Sequence, residues 1–414
     1  MNNITSKAFS LGFIANTLIL LSGCGGAPTT TVTNTELTAL PWDSLVNRAR
    51  GTEVTLMMWQ GDPNINAYMV DYVQRELKQQ FDIDLILASG QGSQVVSTLM
   101  AEQQAGATDS DIDLMWINGE TFYQLREINA LYGPFTDALP NSRYVNWENP
   151  FIARDFQQPT EGLECPWGNV QMCLIYNSER VPSPPQNTDE LAGWIKANPG
   201  RFTIGTDFTG MTFLKALMIN LAGDKHALDG PFSEDKYAEH SERLWAWLND
   251  VKPYLWREGK SFPAAVAPMH QLFSQGELWF TMSNNDGEVE NKIATGILPS
   301  FSKGYALEGG TIQNSHYMGI PRWAGNKAGA LVTLNFLISP QAQFEKAQPE
   351  VWGDGTVLDL SQLPDSMQTR FKALQTRSHV ASREELNLRA LEEPAAEYMI
   401  RLYEDFRTRI VEAP

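Results

Sequence analysis

The sequence has few of the residues that bind metal ions through sulfur or imidazole. Its 414 residues include only three cysteines and five histidines. Cys165 and Cys173 are separated by seven residues, which is not a zinc-ligand spacing. His316 has no second histidine or cysteine beside it, so a structural or pocket role is favoured over metal binding. We therefore predict no metal site and no cofactor.

The two internal cysteines leave two interpretations open, because thiols outside the cytoplasm meet oxidising conditions. In an extended strand the Cα atoms of Cys165 and Cys173 would lie roughly 26 Å apart, at ~3.3 Å per residue. A disulfide requires a Cα separation within ~7 Å, which only a tight hairpin at Gly168–Val170 would provide. We predict two separate buried thiols, with the disulfide as the alternative.

Positive charge is scarce. Lysine and arginine total 31 against 49 aspartates and glutamates, a net charge of −18. Binding to nucleic acid requires a basic face, so nucleic acid is not expected as a partner. An acidic balance of this size permits an attraction for cationic solutes.

Complete catalytic motifs are also lacking. Glu258–Ser261 ends like a phosphate-binding loop, but Tyr254 occupies the place of its first glycine. An acidic run that begins at Asp109 has the spacing of a calcium loop, but Leu114 replaces the required glycine. Neither Gly-x-Ser-x-Gly nor His-Glu-x-x-His occurs. We predict that the protein is not an enzyme, and a hydrolase is the weakest alternative.

What the sequence does have begins at its N-terminus. Lys7 precedes a short apolar run, Phe9–Leu21, which is too short and too polar to span a bilayer and indicates a secretion signal. Leu21-Ser22-Gly23-Cys24 then resembles a bacterial lipobox. It implies cleavage after residue 23 and a lipid anchor on Cys24, and an ordinary signal peptide with an incidental cysteine is the alternative. No second run of membrane length follows, and residues 24–50 are predicted to form a flexible tether.

Three apolar runs, each followed by a helical pattern, come next. They are Val54–Trp59, Ile83–Ala88 and Ile112–Ile117. Strands and helices that alternate in this way predict a parallel sheet covered on both faces. Ligands bind at the carboxyl ends of such strands, so the loops that follow the three runs are expected to open on one edge.

The stretch Val170–Tyr176 divides the chain, because the alternation of strands and helices begins again after it. We predict an α/β protein of two lobes, each a mainly parallel sheet flanked by helices, joined by strand crossovers here and near residues 309–317. Gly168, Asn169 and Gln313 are the predicted hinge. The first lobe is assigned residues 51–163 and 315–355, and the second lobe residues 164–314 and 356–414.

These features together resemble the solute-binding proteins of bacterial ABC importers, over nearly the whole chain. The similarity is strongest to the YnjB-type binding proteins, a branch near the polyamine, thiamine and iron binders. It rests on Met58–Asn66, Asp113–Glu120, Pro159–Glu164, Pro199–Thr203, Asp207–Gly210, Leu255–Lys260 and Trp352–Leu358. The resemblance implies a venus-flytrap (periplasmic-binding-protein) fold, exposure to the periplasm, and docking on a permease with its ATPase. The resemblance does not identify the substrate. The segment Asn284–Asp286 departs from the family pattern. We expect a lipid-anchored monomer.

A pocket for a small solute needs aromatic walls and a few polar groups. The candidates follow the predicted strands or lie at the crossovers, and each has a structural alternative. Aspartates and asparagines here also suit helix caps, and tryptophans usually fill cores. The candidate ligand-binding residues are Trp59, Asp62, Asn64, Asn118, Glu120, Trp167, Asp207, Asn284, Asn285, Asp286, Asn314 and His316.

These candidates combine flat aromatic surfaces with negative charge, which favours a small organic cation, thiamine-like or polyamine-like. A neutral sugar that stacks on the tryptophans is the alternative ligand. The alternative function is a two-lobed lipoprotein of the periplasm that senses a signal or binds a partner protein without transport.

Overall fold

The computed structural model describes residues 37–374 and 377–413. The predicted signal peptide, Cys24 and the tether as far as residue 36 lie outside the described residues. Within the described ranges, none of the helices combines the length and the apolar character that crossing a bilayer requires.

The elements alternate as predicted in the first part of the chain and become richer in helix after it. The strands are β1 (Glu53–Met58), β2 (Asp84–Ser89), β3 (Leu114–Ile117), β4 (Arg154–Asp155), β5 (Gln158–Pro159), β6 (Glu164–Gln171), β7 (Cys173–Asn177), β8 (Phe280–Ser283), β9 (Ser302–Tyr305), β10 (Thr311–Gly319) and β11 (Ala390–Leu391). The helices are α1 (Trp42–Ala49), α2 (Pro63–Ala67), α3 (Arg75–Phe81), α4 (Ser93–Gln104), α5 (Gly119–Glu127), α6 (Pro150–Ala153), α7 (Thr188–Ala197), α8 (Phe208–Ala222), α9 (Glu234–Val251), α10 (Val266–Ser274), α11 (Glu288–Ala294), α12 (Lys327–Leu337), α13 (Pro340–Ala347), α14 (Asp365–Leu374), α15 (Arg383–Asn387) and α16 (Ala396–Phe406). A π-helical segment, Tyr68–Gln74, joins α2 to α3.

The first sheet is built from the three predicted strands. β1 lies between β2 and β3 and pairs in parallel with both. Alternate residues of β1 (Val54, Leu56 and Met58) are buried on one face, where α12 packs. Met57 contacts the core on the opposite face. The prediction of a parallel sheet covered on both faces is confirmed for this lobe, and the loops after β1, β2 and β3 share one edge.

Two crossovers connect this sheet to a second one. β10 pairs antiparallel with β6 along seven register positions and with β3 at its far end. The chain leaves β6 at Gln171 and enters β7, which belongs to the second sheet. At this point the backbone N–H of Met172 donates to the carbonyl of Ile312, 2.8 Å away. The predicted strand crossovers are therefore confirmed.

The second sheet differs from the prediction. Its order is β8-β7-β9, and both pairings are antiparallel, so the expectation of a mainly parallel sheet is wrong for this lobe. The reason lies in the spacing of the elements. Four helices, α7 to α10, separate β7 from β8, so the chain does not alternate strand with helix here. The segment at Phe202 and Ile204 is buried, yet forms no strand.

Each sheet carries apolar cores on both faces. Residues of β7 alternate between them, with Leu174 on one face and Cys173 and Ile175 on the other. The boundary predicted at residue 356 is corrected by the packing beyond it. Val357, Leu358, Leu363, Met367 and Phe371 belong to the core of the first sheet. The chain rejoins the second lobe only with Val380 and Leu386.

Both internal cysteines are free thiols, as predicted. Cys165 lies in β6 and Cys173 in β7, and each is completely buried. Burial raises the pKa of both thiols above the ordinary value, so they remain protonated and unreactive.

Gly168 occupies the most crowded position of the crossover ladder. It lies opposite His316 in the register between β6 and β10. A Cβ atom built on Gly168 would overlap the imidazole Nε2 of His316 and the carboxylate of Asp354. A glycine is required here because the partly exposed His316 and the buried Asp354 occupy the space of a side chain.

We predict that Gly168→Ala destabilises the protein by about 1–3 kcal/mol, because the crowded core must shift to accept the methyl group. The free energy of unfolding in urea measures this. The control is Gly193→Ala, in the exposed part of α7, where a Cβ atom meets nothing within 4 Å. That change should be neutral or stabilising. Equal effects of the two changes would contradict the steric explanation.

Candidate functional site

A cavity of about 280 Å³ lies between the two sheets. Its first wall is formed by the loops at the carboxyl ends of β1, β2 and β3, which supply Trp59, Gln91 and Asn118. Because the three strands are parallel, these loops meet at one edge, as the sequence predicted. The volume of the cavity is close to the lower end of the size range of small-molecule sites.

The opposite wall belongs to the second lobe. The N-terminus of α8 contributes Asp207, Phe208 and Thr209, and the segment before α10 contributes Ala264–Val266. The loop after β8 adds Ser283, Asn284 and Asn285, and α11 adds Glu288. The crossover strand β10 closes the space between the walls with Asn314, Ser315 and His316.

Four asparagines of the predicted set line the cavity, Asn314 among them. Asn118 accepts a hydrogen bond from the hydroxyl of Thr121 at 3.0 Å and makes no side-chain cap to its helix. Asn284 donates to the Thr209 hydroxyl at 3.2 Å. The side-chain oxygen of Asn285 accepts from the backbone N–H of Gly287 at 2.9 Å. The structure therefore brings polar groups from both lobes to one space.

An aromatic cluster forms the floor of the cavity. Trp116 and Trp352 both line it, with ring centroids 6.0 Å apart. His316 stacks on Trp352 with an interplanar angle of 14°. Trp167 was predicted as a wall of the pocket, but it is completely buried and does not line the cavity. It packs edge-on beneath Trp116, at 4.9 Å, and so supports the ring that does line it.

His316 reaches the cavity as predicted, held by a buried charge that the sequence did not reveal. Its Nε2 lies 3.0 Å from the carboxylate of Asp354, which also accepts from the ammonium of Lys346. Burial alone would raise the pKa of Asp354, but His316 and Lys346 outweigh it and lower that pKa. Burial lowers the pKa of Lys346. The carboxylate is thus ionised and compensated within the protein.

Asp62 and Asn64 do not line the cavity. Asp62 caps α2, accepting the backbone N–H groups of Asn64 and Ile65 at 2.7 and 3.2 Å. It also pairs with the buried ammonium of Lys292 on α11. Asn64 donates to the side chain of Asn291 at 2.8 Å. Both residues join the first lobe to α11 of the second lobe and are therefore structural contacts, which corrects the prediction.

Asp286 also has a structural role in place of the predicted one. Its side chain is completely buried and pairs with Arg377 and with Arg383, the latter at 3.1 Å. It accepts the backbone N–H of Gln171, the last residue of β6, at 3.0 Å. Burial raises the pKa of Asp286, but the two arginines more than reverse this and lower it. Asp286 therefore links the chain beyond residue 376 to the crossover strand β6, and it does not line the cavity.

Glu120 does not line the cavity; it is half-buried beside a group of buried acids. Asp155, Glu164 and Glu393 accompany it, with Lys215 as the one buried cation. Lys215 pairs with Glu393, which also accepts from Asn314 at 2.9 Å. Burial raises the pKa of Glu120 to about 7 and raises the pKa values of the other three acids. The neighbouring Glu393 and Glu120 raise the pKa of Asp155 further.

Five residues of the cavity lining that bear on the ligand were missed by the sequence reasoning: Trp116, Phe208, Glu288, Trp352 and Asp354. Trp116 is the last residue but one of β3, so its position near the carboxyl end of a predicted strand was a usable signal. Trp352 and Asp354 follow α13, and no periodic pattern marks their segment. Among residues 37–374 and 377–413, no three His, Cys, Asp or Glu side chains are grouped as metal binding would require.

A cavity with aromatic walls between two sheets, bordered by strand crossovers, defines a two-lobed solute-binding protein. The family model described as bacterial extracellular solute-binding protein matches residues 73–373. The chain therefore belongs to this family, which makes it a binding protein that acts outside the cytoplasm, and not an enzyme.

The similarity extends to individual proteins. Protein YnjB of Escherichia coli (strain K12) is 40% identical over 343 residues, which cover 82% of this chain and 87% of YnjB. This confirms the YnjB-type resemblance.

Solved structures share the fold at low identity. A spermidine/putrescine ABC transporter protein of Listeria monocytogenes aligns with a TM-score of 0.58 and 15% identity, over 86% of this chain and 98% of its own. The periplasmic binding protein AfuA of Actinobacillus pleuropneumoniae aligns with a TM-score of 0.61 and 12% identity, over 87% of this chain and 99% of its own. Ferric ion-binding protein A of Pasteurella haemolytica aligns with a TM-score of 0.59 and 13% identity, over 87% of this chain and 97% of its own. The two-lobed fold predicted from the sequence is confirmed.

The acids around Glu120 predict a stability that falls as the pH rises. The pKa values of these acids are higher in the folded protein than in the unfolded chain. For Glu120 the two values are about 7 and 4.5. Its contribution to the free energy of unfolding is therefore complete below pH 4.5 and is lost as the pH rises through about 7. Glu120→Gln should remove part of this loss and stabilise the protein at pH 8.5 by about 1 kcal/mol or more. Unfolding in urea at pH 5.5, 7.0 and 8.5 measures it.

Glu127→Gln is the matched control, because Glu127 lies on the same helix and is exposed. This variant should keep the pH dependence of the unmodified protein. If Glu120→Gln and the unmodified protein lose stability in parallel between pH 5.5 and 8.5, the assignment of the titration to Glu120 is wrong.

Proposed function

We propose that the protein captures a small organic cation, thiamine-like or polyamine-like, outside the cytoplasm and delivers it to an ABC importer. One observation supports the ligand class most directly. Within the described part of the chain, the lining of the cavity includes the rings of Trp59, Trp116, Phe208 and Trp352 and three acids, Asp207, Glu288 and Asp354, but no lysine or arginine.

The physical argument follows from this lining. A cation beside an aromatic face gains about 0.5–2 kcal/mol per ring, most where water is excluded. Carboxylates add charge-assisted hydrogen bonds to an ammonium or amidinium group. An anionic solute would lose its hydration without meeting a positive group in the lining other than His316. Aromatic rings and acids together therefore favour a cation.

The structural neighbours are named for different solutes. The Listeria protein is named for spermidine and putrescine, the Pasteurella protein for ferric ion, and AfuA carries fructose-6-phosphate. The shared fold thus accommodates several ligand chemistries, and the lining of each cavity must decide among them. A sugar phosphate requires positive charge, which the lining described here supplies only weakly.

A neutral sugar is the second candidate, and the amides favour it. Asn118, Asn284, Asn285 and Asn314 line the cavity beside the tryptophans. Aromatic stacking with amide hydrogen bonds would suit a ring that carries hydroxyl groups.

We propose that the lobes close on the solute about the crossovers, with Gly168, Asn169 and Gln313 as the hinge. The contacts of Asn169 support this role. Its side-chain oxygen accepts from Gln313 at 2.8 Å, and its amide donates to the carbonyl of Asn314 and the hydroxyl of Ser315, both at 3.1 Å. These bonds tie the two crossover strands together, so they would bend as one unit.

A thermal-shift panel of amines, sugars and oxyanions tests the ligand class, and calorimetry then measures the affinity. We predict that amines stabilise the protein and that Trp59→Ala weakens their binding about tenfold, ~1.4 kcal/mol. Trp256→Ala is the control, because Trp256 does not line the cavity. Stabilisation by a sugar, with amines inert, would replace the cation with the second candidate. Stabilisation by an oxyanion alone would refute both.

We also propose that the protein is a monomer held at the membrane by a lipid on Cys24, the last residue of Leu21-Ser22-Gly23-Cys24. Stable anchoring requires more than one lipid chain or a second membrane signal, and each buried CH₂ contributes ~0.8 kcal/mol.

We predict that Cys24→Ala abolishes the incorporation of labelled palmitate and releases the protein from the membrane fraction or leaves it uncleaved. The Cys165→Ala variant controls for loss of an unrelated thiol and should be labelled normally. Palmitate in the Cys24→Ala protein would exclude this anchor.

A further inference from the structure

The three acids of the cavity lining differ in whether the protein itself compensates their charge. Asp354 is completely buried and pairs with the buried ammonium of Lys346. His316 approaches the same carboxylate oxygen at 3.0 Å. Lys346 compensates the charge of Asp354, so this acid leaves no negative charge for a solute to offset.

Glu288 has a partner as well. Its carboxylate lies 3.4 Å from the ammonium of Lys292, and the hydroxyl of Ser283 donates to it. Lys292 also pairs with Asp62, which lies outside the cavity lining. Asp62 accepts two backbone N–H groups at the start of α2, where the helix dipole stabilises negative charge. Lys292 lies closer to Asp62 than to Glu288, and both carboxylates have this lysine as their cationic neighbour.

Asp207 has no such partner. Among residues 37–374 and 377–413, no lysine, arginine or histidine forms an ion pair with it, although one oxygen accepts the N–H of Gly210 at 3.1 Å. Burial raises the pKa of Asp207, and the hydrogen bonds from the backbone only partly oppose this. Asp207 is thus the one acid of the lining that lacks a cationic neighbour in the described structure.

We infer that the solute carries a single positive charge and that Asp207 selects it as its counter-ion. This rests on the proposed function and narrows it to monovalent ammonium, amidinium or ring-nitrogen cations. One unpaired carboxylate offsets one positive charge. A second cationic group in the same cavity would lose its hydration without a free carboxylate to meet it, which is costly. Diamines and polyamines are accordingly disfavoured.

Pairs of amines that differ only in their number of charges test the inference. Butylamine is compared with 1,4-diaminobutane, and benzylamine with 1,4-bis(aminomethyl)benzene, by calorimetry at equal ionic strength. We expect the monoamine of at least one pair to bind at least tenfold more tightly than its diamine. Asp207→Asn should weaken binding of that monoamine at least tenfold and remove the preference. Asparagine is itself a good helix N-cap, so α8 should persist.

Asp359→Asn is the control, because Asp359 also caps a helical turn but lies outside the cavity. It should leave both affinities unchanged. If neither monoamine binds at least tenfold more tightly than its diamine, the inference is overturned and the proposed function stands. Unchanged monoamine binding by a folded Asp207→Asn variant would do the same. Failure of every amine at millimolar concentration, whether or not a sugar or oxyanion binds, would overturn both.

Discussion

The antiparallel ladder between β6 and β10 is the contact on which the fold and the cavity both depend. It joins the two crossovers through seven register positions, from Gln171 opposite Gln313 to Glu164 opposite Gly319. β10 also pairs with β3, so the ladder extends the sheet of the first lobe. β7 continues from β6 into the second sheet. The two lobes are therefore connected through one hydrogen-bonded unit and not through two independent linkers.

Buried charges fix other parts of the chain against this ladder. Asp354, held by Lys346 and His316, lies against the backbone of Gly168 in β6. Asp286, held by Arg377 and Arg383, accepts the N–H of Gln171 at the end of the same strand. A buried ion pair adds little net stability, but loss of one partner typically costs ~3–5 kcal/mol. These pairs consequently specify where distant segments lie more than they stabilise the fold.

The sequence was sufficient to predict strands and the residues at their ends wherever a local pattern of apolar residues determines them. The strands of the first lobe were found because their residues alternate or form short apolar runs, and parallel pairing then placed Trp59 and Asn118 at one edge. Trp167 was misassigned because every residue of β6 is buried, so no alternation shows which face a side chain occupies. Asp62 and Asp286 were placed correctly at strand ends. Their lysine and arginine partners lie 91 to 230 residues away, which local sequence cannot reveal.

The unpaired carboxylate connects ligand chemistry with motion of the lobes. Asp286 and Asp354 have cationic partners whether or not a solute is bound, so their charges do not favour one state of the cleft over another. Asp207 differs, because closure of the lobes, if it occurs as proposed, would remove water from its carboxylate without supplying a positive group from the described part of the protein. A cation in the cavity would supply that group. The free-energy cost of closing the lobes would then be lower with the cation bound than without it. A ligand shifts a conformational equilibrium only by the difference between its affinities for the two states. In this arrangement one uncompensated charge would make closure depend on the solute.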